Sequence, residues 1–499
     1  MTTMKAEKTA AMQAVAVDLL DSVPAGLLIA GEWVSSSSGA TFAVDDPSSG
    51  EAIKHIADAT PDDGIRALDA AAGAQDAWAS VAPRERGEIL RRAFDMVQER
   101  KDEFALLMTL EMGKPLADSY AEVTYGGEFL RWFSEEAVRI SGRYGRNPEG
   151  TGTLVVSQRP VGPCFLVTPW NFPLAMATRK IGPALAAGCT VVVKPASATP
   201  LTTMYLAARL LEAGLPAGVL NVVASSHSGA LSAPILADPR LRKISFTGST
   251  EVGRVLLRQA ADGILRTSME LGGNAPFVVF EDADLDRAVE GAMAAKFRNS
   301  GQACTAANRF IVQHSVAGAF AEQIAARVRA MKVGRGTEKD VAIGPLINQD
   351  AVDRIDSVVR DAVNKGAALL VGGHKIARPG TFYEPTVLSA VPADADILRT
   401  EIFGPVLTIV EFDSEDEAVR LANGTEFGLV SYVYTRDLAR GQRMIDRLDT
   451  GMTGLNEGVV SNAAAPFGGV KHSGLGREGG AEGIHEYLST KYTLIPAEA

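Results

Sequence analysis

The chain has 499 residues, of which 46% are hydrophobic and 22% charged, and its formal net charge is −11. At ~150 residues per domain this length implies about three well-cored structural units. The acidic balance argues against nucleic acid or anionic membrane as a main partner, while leaving room for a local basic pocket.

Only Cys164, Cys189 and Cys304 occur, too few for a disulfide framework and in keeping with a reducing compartment. His55, His227, His314, His374, His472 and His485 are scattered and form no HExxH-like spacing, so no metal site is expected. Residues 1–20 resemble neither a secretory signal nor a transit peptide and read as a short amphipathic helix or a frayed tail. With no run of ~18 apolar residues, no membrane span is expected, and the cytoplasm is the expected location.

Residues 27–60 read as short strands and turns, as in a hairpin. Residues 62–116 turn helical: Ile89, Leu90, Ala93, Phe94 and Val97 make one apolar face, and Gly113 with Pro115 stops the run. A further amphipathic helix is expected at 118–140. Residues 153–159 follow a Gly-rich stretch and read as an extended edge strand, which needs pairing or cover.

Residues 161–271 alternate short apolar strands (164–168, 190–194, 218–223, 243–246, 266–270) with helices (174–187, 201–214, 231–237, 250–261). Repeated strand–helix units of this kind build a parallel, doubly wound sheet, which binds ligands at the carboxyl ends of its strands. Polar strings stand at those ends: TPWN at 168–171, KPAS at 194–197, TGST at 247–250 and ELGG at 270–273. A second α/β region runs from 274 to 456. Its expected strands are 276–280, 308–313, 368–372, 407–411 and 429–434, with helices at 284–297, 316–331, 349–366 and 436–447. Residues 491–495 are again extended.

Three places carry chemistry. Gly248 and Ser249 open a helix after a strand, a geometry that suits either phosphate binding or ordinary helix capping. Lys194 ends a buried strand, where it can meet an adenosine ribose or phosphate or simply lie at a sheet edge. Cys304 sits in a turn rich in glycine and amides, between Arg298 and Asn308. It reads either as a nucleophile activated by its surroundings or as an inert buried thiol.

Taken together, the chain resembles the aldehyde dehydrogenase superfamily from about residue 27 to 492. Seven motifs in family order carry the likeness: TPWNFP (168–173), KPAS (194–197), FTGST (246–250), ELGG (270–273), GQAC (301–304), EIFGP (401–405) and PFGG (466–469). The resemblance implies two doubly wound α/β domains plus a β-strand oligomerisation arm. The cofactor domain would take residues 1–140 and 161–273, the catalytic domain 274–472, and the arm 141–160 and 473–499. A homodimer or homotetramer follows.

The resemblance makes Cys304 the nucleophile, forming a thiohemiacetal and, after hydride transfer, a thioester. Glu270 becomes the general base, and Asn171 an oxyanion-hole donor together with the Cys304 backbone N–H. It places the dinucleotide against Thr168, Pro169, Trp170, Lys194, Ser197, Gly248, Ser249, Leu271, Glu401 and Phe403. Many NAD-preferring members have Glu where this chain has Ser197. Lys with Ser accepts a 2′-phosphate, so NADP is the expected cofactor and NAD the alternative.

Within the superfamily, the strings ATRK (177–180), SMELGGNAP (268–276), KFRN (296–299) and EGVVS (457–461) are most similar to succinate-semialdehyde dehydrogenases, enzymes of 4-aminobutyrate degradation. That likeness implies a carboxylate clamp of Arg179, Arg298 and Ser461. It departs at Ala306, where many members have a second cysteine, so no local disulfide switch at Cys304 is expected. The alternatives are a dehydrogenase of glutarate semialdehyde or general aliphatic aldehydes, and a cysteine hydrolase or acyltransferase without redox chemistry.

Overall fold

A computed structural model describes residues 15–497. Residues 1–14 of the expected N-terminal segment lie outside the described residues; 15–22 are helical. Two open sheets organise the chain. The first runs in the order Glu32–Val34, Leu27–Ile29, Leu220–Val222, Val191–Lys194, Cys164–Val167, Lys243–Thr247, Arg266–Glu270, Gly474–Leu475. Its five middle strands are parallel and their residues almost all buried, which explains their continuous apolar runs. The segment at residues 27–34 is a hairpin, as expected, but it adds to the edge of this sheet through Leu28 and Val222.

The order of strands reverses between Cys164–Val167 and Lys243–Thr247. The chain winds one way from the first of these, then crosses to the other side. The carboxyl ends of these two strands, at Thr168 and Gly248, therefore splay apart and leave a crevice.

The second sheet runs Ala368–Val371, Thr386–Ser389, Val406–Phe412, Ala307–Gln313, Ala275–Val279, Val430–Tyr434, Met452–Leu455, parallel except at the first pair. Only residues 271–274 separate Glu270, which ends a strand of the first sheet, from Ala275, which begins one of the second. Arg309 anchors this link: its guanidinium donates to the Asn274 carbonyl at 2.8 and 3.1 Å and to Leu421 and Ala422 carbonyls at 2.8 and 2.9 Å. A buried arginine is tolerated because carbonyl acceptors satisfy its fork.

Gly152–Pro160 corrects the edge-strand expectation. It is the middle strand of a third sheet, paired along its full length with Leu488–Pro496 and on its other side with Arg143–Arg146. The free edge thus falls to Leu488–Pro496, whose Tyr492, Leu494 and Ile495 are about half exposed. Among the described residues, no helix is long and apolar enough to cross a membrane.

Candidate active site

The crevice at the strand crossing opens into a cavity of about 550 Å³. Pro169, Trp170 and Asn171 line it from one strand end, Gly248 and Ser249 from the next, and Leu271 from the third. The part of the chain that carries the second sheet contributes Cys304, Glu401 and Phe403. Thr168, Lys194 and Ser197 are not among the lining residues, but Thr168 directly precedes Pro169, and Lys194 ends the adjacent strand with Ser197 three residues on. The Thr168 N–H donates to the Lys194 carbonyl at 3.2 Å, and the Thr199 hydroxyl donates to the Trp170 carbonyl at 3.1 Å.

Ser249 caps the helix Thr250–Asp262, accepting from the Val252 N–H at 3.3 Å. The capping alternative is therefore realised, and the helix still presents its first turn to the cavity. Lys194 is buried, which pulls its ammonium down to about 8. Among the described residues it forms no ion pair. Glu401 accepts from the Gly273 N–H at 2.9 Å, and burial pushes it up to about 7. Sequence reading missed Arg354 and Arg399, which line the same cavity from segments without a motif.

Cys304 lines the same cavity. Three consecutive left-handed residues, Asn299 (φ 55°), Ser300 (φ 56°) and Gly301 (φ 74°), turn the chain just before it. For the two non-glycine residues this conformation is costly and persists only where the surroundings enforce it. Here the Asn299 N–H donates to Asp118 at 3.0 Å, and the Asn299 amide donates to Asn171 and Gln302 carbonyls at 3.0 and 2.9 Å. Gly273 lies under the nucleophile, and a Cβ there would stand 2.6 Å from the Cys304 carbonyl oxygen.

The Asn171 loop is held from below. Lys114, fully buried, donates to the Asn171 carbonyl at 2.7 Å and to Glu122 at 2.5 Å. Glu122 in turn accepts from the first N–H groups of the helix Pro173–Ala187, at Leu174 and Ala175 (2.9 and 3.1 Å). This places the Asn171 amide beside the nucleophile, donating to the Gln302 carbonyl at 3.1 Å and retaining a second N–H.

Behind Cys304 the character changes to buried charge. Arg179 pairs with Glu478 at 2.6 Å and stacks over Phe467 at 3.9 Å, and Lys180 reaches the same Glu478 at 2.5 Å. Arg179, expected as a carboxylate ligand, is thus engaged in an ion pair with Glu478. Arg298 stands over Phe172 at 5.7 Å and forms no ion pair among the described residues. Glu478 keeps its charge because Lys180 and Arg179 outweigh its burial. Burial, with repulsion from Glu478 second, holds the Glu270 carboxyl well above the usual range, and its Oε2 has no partner. Of the two acids, Glu270 therefore binds a proton the more readily. Burial pushes the Cys304 thiol up to about 12, against the pull of Arg179.

The model of the aldehyde dehydrogenase family matches residues 33–493. The chain belongs to the aldehyde dehydrogenase family. It is 60% identical to the succinate-semialdehyde dehydrogenase of Paenarthrobacter nicotinovorans over 88% of this chain and 98% of that protein. It is 47% identical both to the succinate-semialdehyde dehydrogenase (NADP(+)) GabD of Escherichia coli K12 and to the glutarate-semialdehyde dehydrogenase of Pseudomonas aeruginosa. These span 94% and 93% of this chain and 97% and 96% of the relatives. The crystal structure of a succinate-semialdehyde dehydrogenase from Burkholderia pseudomallei superposes with a TM-score of 0.94 at 48% identity. It covers 95% of this chain and 98% of that one. The aldehyde dehydrogenase fold expected from the motifs is therefore the fold of this chain.

Proposed function

We propose that this aldehyde dehydrogenase oxidises succinate semialdehyde to succinate with NADP, through a thioester on Cys304. The observation that carries the reading is the position of the thiol. It stands between a cavity at the strand crossing and a cationic end holding Arg179 and Arg298.

The residues at the strand crossing fit a phosphorylated dinucleotide. The Thr247 hydroxyl is buried there without a partner, and the helix Thr250–Asp262 directs its first turn at the cavity. Lys194 lacks a counter-charge among the described residues, and Ser197 brings no negative charge of its own. When bound, the cofactor supplies the hydride acceptor for the oxidation.

This chain's own residues do the rest. Glu270 takes the proton from the Cys304 thiol, which does not ionise unaided near neutral pH. The thiolate adds to the aldehyde carbon, and the new oxyanion is met by the Asn171 amide and the Cys304 backbone N–H. Once that first proton has passed to solvent, Glu270 takes a proton from the water that attacks the thioester. The C–S bond then breaks to release the acid and return the Cys304 thiolate, which Glu270 can reprotonate. Arg298 and Ser461 hold the distal carboxylate, with Arg179 behind them.

The carboxylate end does not by itself measure chain length, and glutarate semialdehyde is the second reading. The free strand Leu488–Pro496 supports a homodimer or homotetramer, and the enzyme would act in the cytoplasm in 4-aminobutyrate degradation. The test is steady-state reduction of NADP and of NAD with succinate semialdehyde, glutarate semialdehyde and butyraldehyde, in wild type and Arg298→Ala. A preference for charged aldehydes that collapses in the variant is expected. Equal turnover of butyraldehyde would refute the semialdehyde assignment.

A further inference from the structure

We propose that Tyr125 is a specificity-determining residue. Its phenolic hydroxyl donates to the distal carboxylate of the substrate beside Arg298 and Ser461. This rests on the charged-aldehyde reading above and adds a residue to it.

Tyr125 lies on the helix Leu116–Glu136, far in sequence from every motif. Its hydroxyl is buried and makes no well-formed hydrogen bond among the described residues, with the Ser461 hydroxyl as its near polar neighbour. An orphaned buried donor is costly, and it persists where a ligand satisfies it. Tyr432 shows the contrast. It is another buried tyrosine near Cys304, but its hydroxyl is consumed by the Thr305 carbonyl at 2.9 Å.

The surroundings of Tyr125 point to an anion. Its ring meets Phe129 edge-on at 5.0 Å, and the Arg179 guanidinium stands 5.8 Å over that same Phe129. On its other side Tyr125 packs against the small apolar cluster of Phe172, Met176, Ala303 and Ala306, which brackets the nucleophile, and Phe172 carries Arg298 on its face. The phenol therefore stands near both arginines and Cys304. Burial keeps it protonated and hence a donor, with Arg179, Arg298 and Ser461 close enough to act on it.

A count of donors supports the assignment. A carboxylate offers about four acceptor sites. Arg179 is offset by Glu478 at 2.6 Å, so its charge is largely spent before any substrate arrives. The Arg298 fork can fill two sites, Ser461 one and Tyr125 one.

The experiment compares Tyr125→Phe with wild type on succinate semialdehyde and butyraldehyde, and adds the inhibition constant for succinate. The variant is expected to raise KM for the charged aldehyde while kcat holds. The charged-to-neutral ratio of kcat/KM should fall about tenfold or more, as for a hydrogen bond to a charged group. The succinate constant should weaken in proportion. Because the hydroxyl makes no well-formed hydrogen bond among the described residues, the melting temperature should not fall.

An unchanged ratio overturns the proposal. So does a kcat loss shared equally by butyraldehyde, which would put the hydroxyl at the reacting carbon, or a lowered melting temperature with no change in selectivity. A wild type that does not prefer the charged aldehyde removes this proposal and the charged-aldehyde reading together. A wild-type preference with an unchanged ratio in the variant removes only the role of Tyr125.

Discussion

The two sides of Cys304 are built on different principles. The cofactor side stands mostly on short runs of residues at strand ends, and its polar groups are met mainly by backbone: Ser249 caps its own helix, and Glu401 accepts from the Gly273 N–H. The aldehyde side stands on side chains from four distant segments, and its polar groups are met by one another: Arg179 and Lys180 share Glu478, while the Tyr125 hydroxyl makes no well-formed hydrogen bond among the described residues. The first arrangement fixes a geometry. The second fixes protonation states, because in a dry site each charge moves the pKa of its neighbours.

The largest effect that would break this contrast comes from Glu478→Gln. It leaves two buried cations without their counter-charge, and breaking such a pair costs about 3–5 kcal/mol, read as a lower denaturation midpoint. The sign on chemistry follows from the cited causes. Glu478 raises the pKa of Glu270, so its removal lowers that pKa and moves the acid limb of the kcat profile to lower pH. An unmoved limb would separate Glu270 from the buried charges.

Next comes Gly273→Ala. The added Cβ would stand 2.6 Å from the Cys304 carbonyl, so the nucleophile must shift. A displacement near 1 Å is expected to cost about 10²-fold in kcat. Retention of full activity would mean that the cofactor side does not set the position of the thiol.

The smallest effect sharpens the cofactor side. Lys194 titrates at about 8 when it faces no anion. A phosphate binds its protonated form, so the KM for NADP should rise with pH above that value, by about tenfold per unit if the charge is essential. The slope should vanish in Lys194→Met, and the KM for NAD should stay flat.

The same contrast explains what could be read in advance. Helix and strand alternation from 161 to 271 was legible because each strand is a buried apolar run ended by a turn. Thr386–Ser389 and Met452–Leu455 were missed: each has four residues, and Thr, Ser and Gly dilute their pattern. The cofactor residues form contiguous motifs, and most of them line one cavity. The partner of Arg179 was not legible, since Glu478 lies 299 residues away and a pair of buried charges leaves no local spacing. Tyr125 sits on a helix whose buried face also holds Val123, Phe129 and Leu130, so its ring reads there as core. The strand 152–160 was read as an edge because its partner is the far end of the chain.

The most direct test of the account is mass spectrometry of Glu270→Gln quenched after mixing with succinate semialdehyde and NADP. With the base removed, the Cys304 thiol keeps its proton, so the NADPH burst and the succinyl thioester on Cys304 should both be lost, with steady turnover down about 10²–10⁴-fold. A full burst with the thioester accumulating would confine Glu270 to the hydrolysis. A burst without a Cys304 adduct, or an unmodified Cys304 and undiminished turnover, would contradict it.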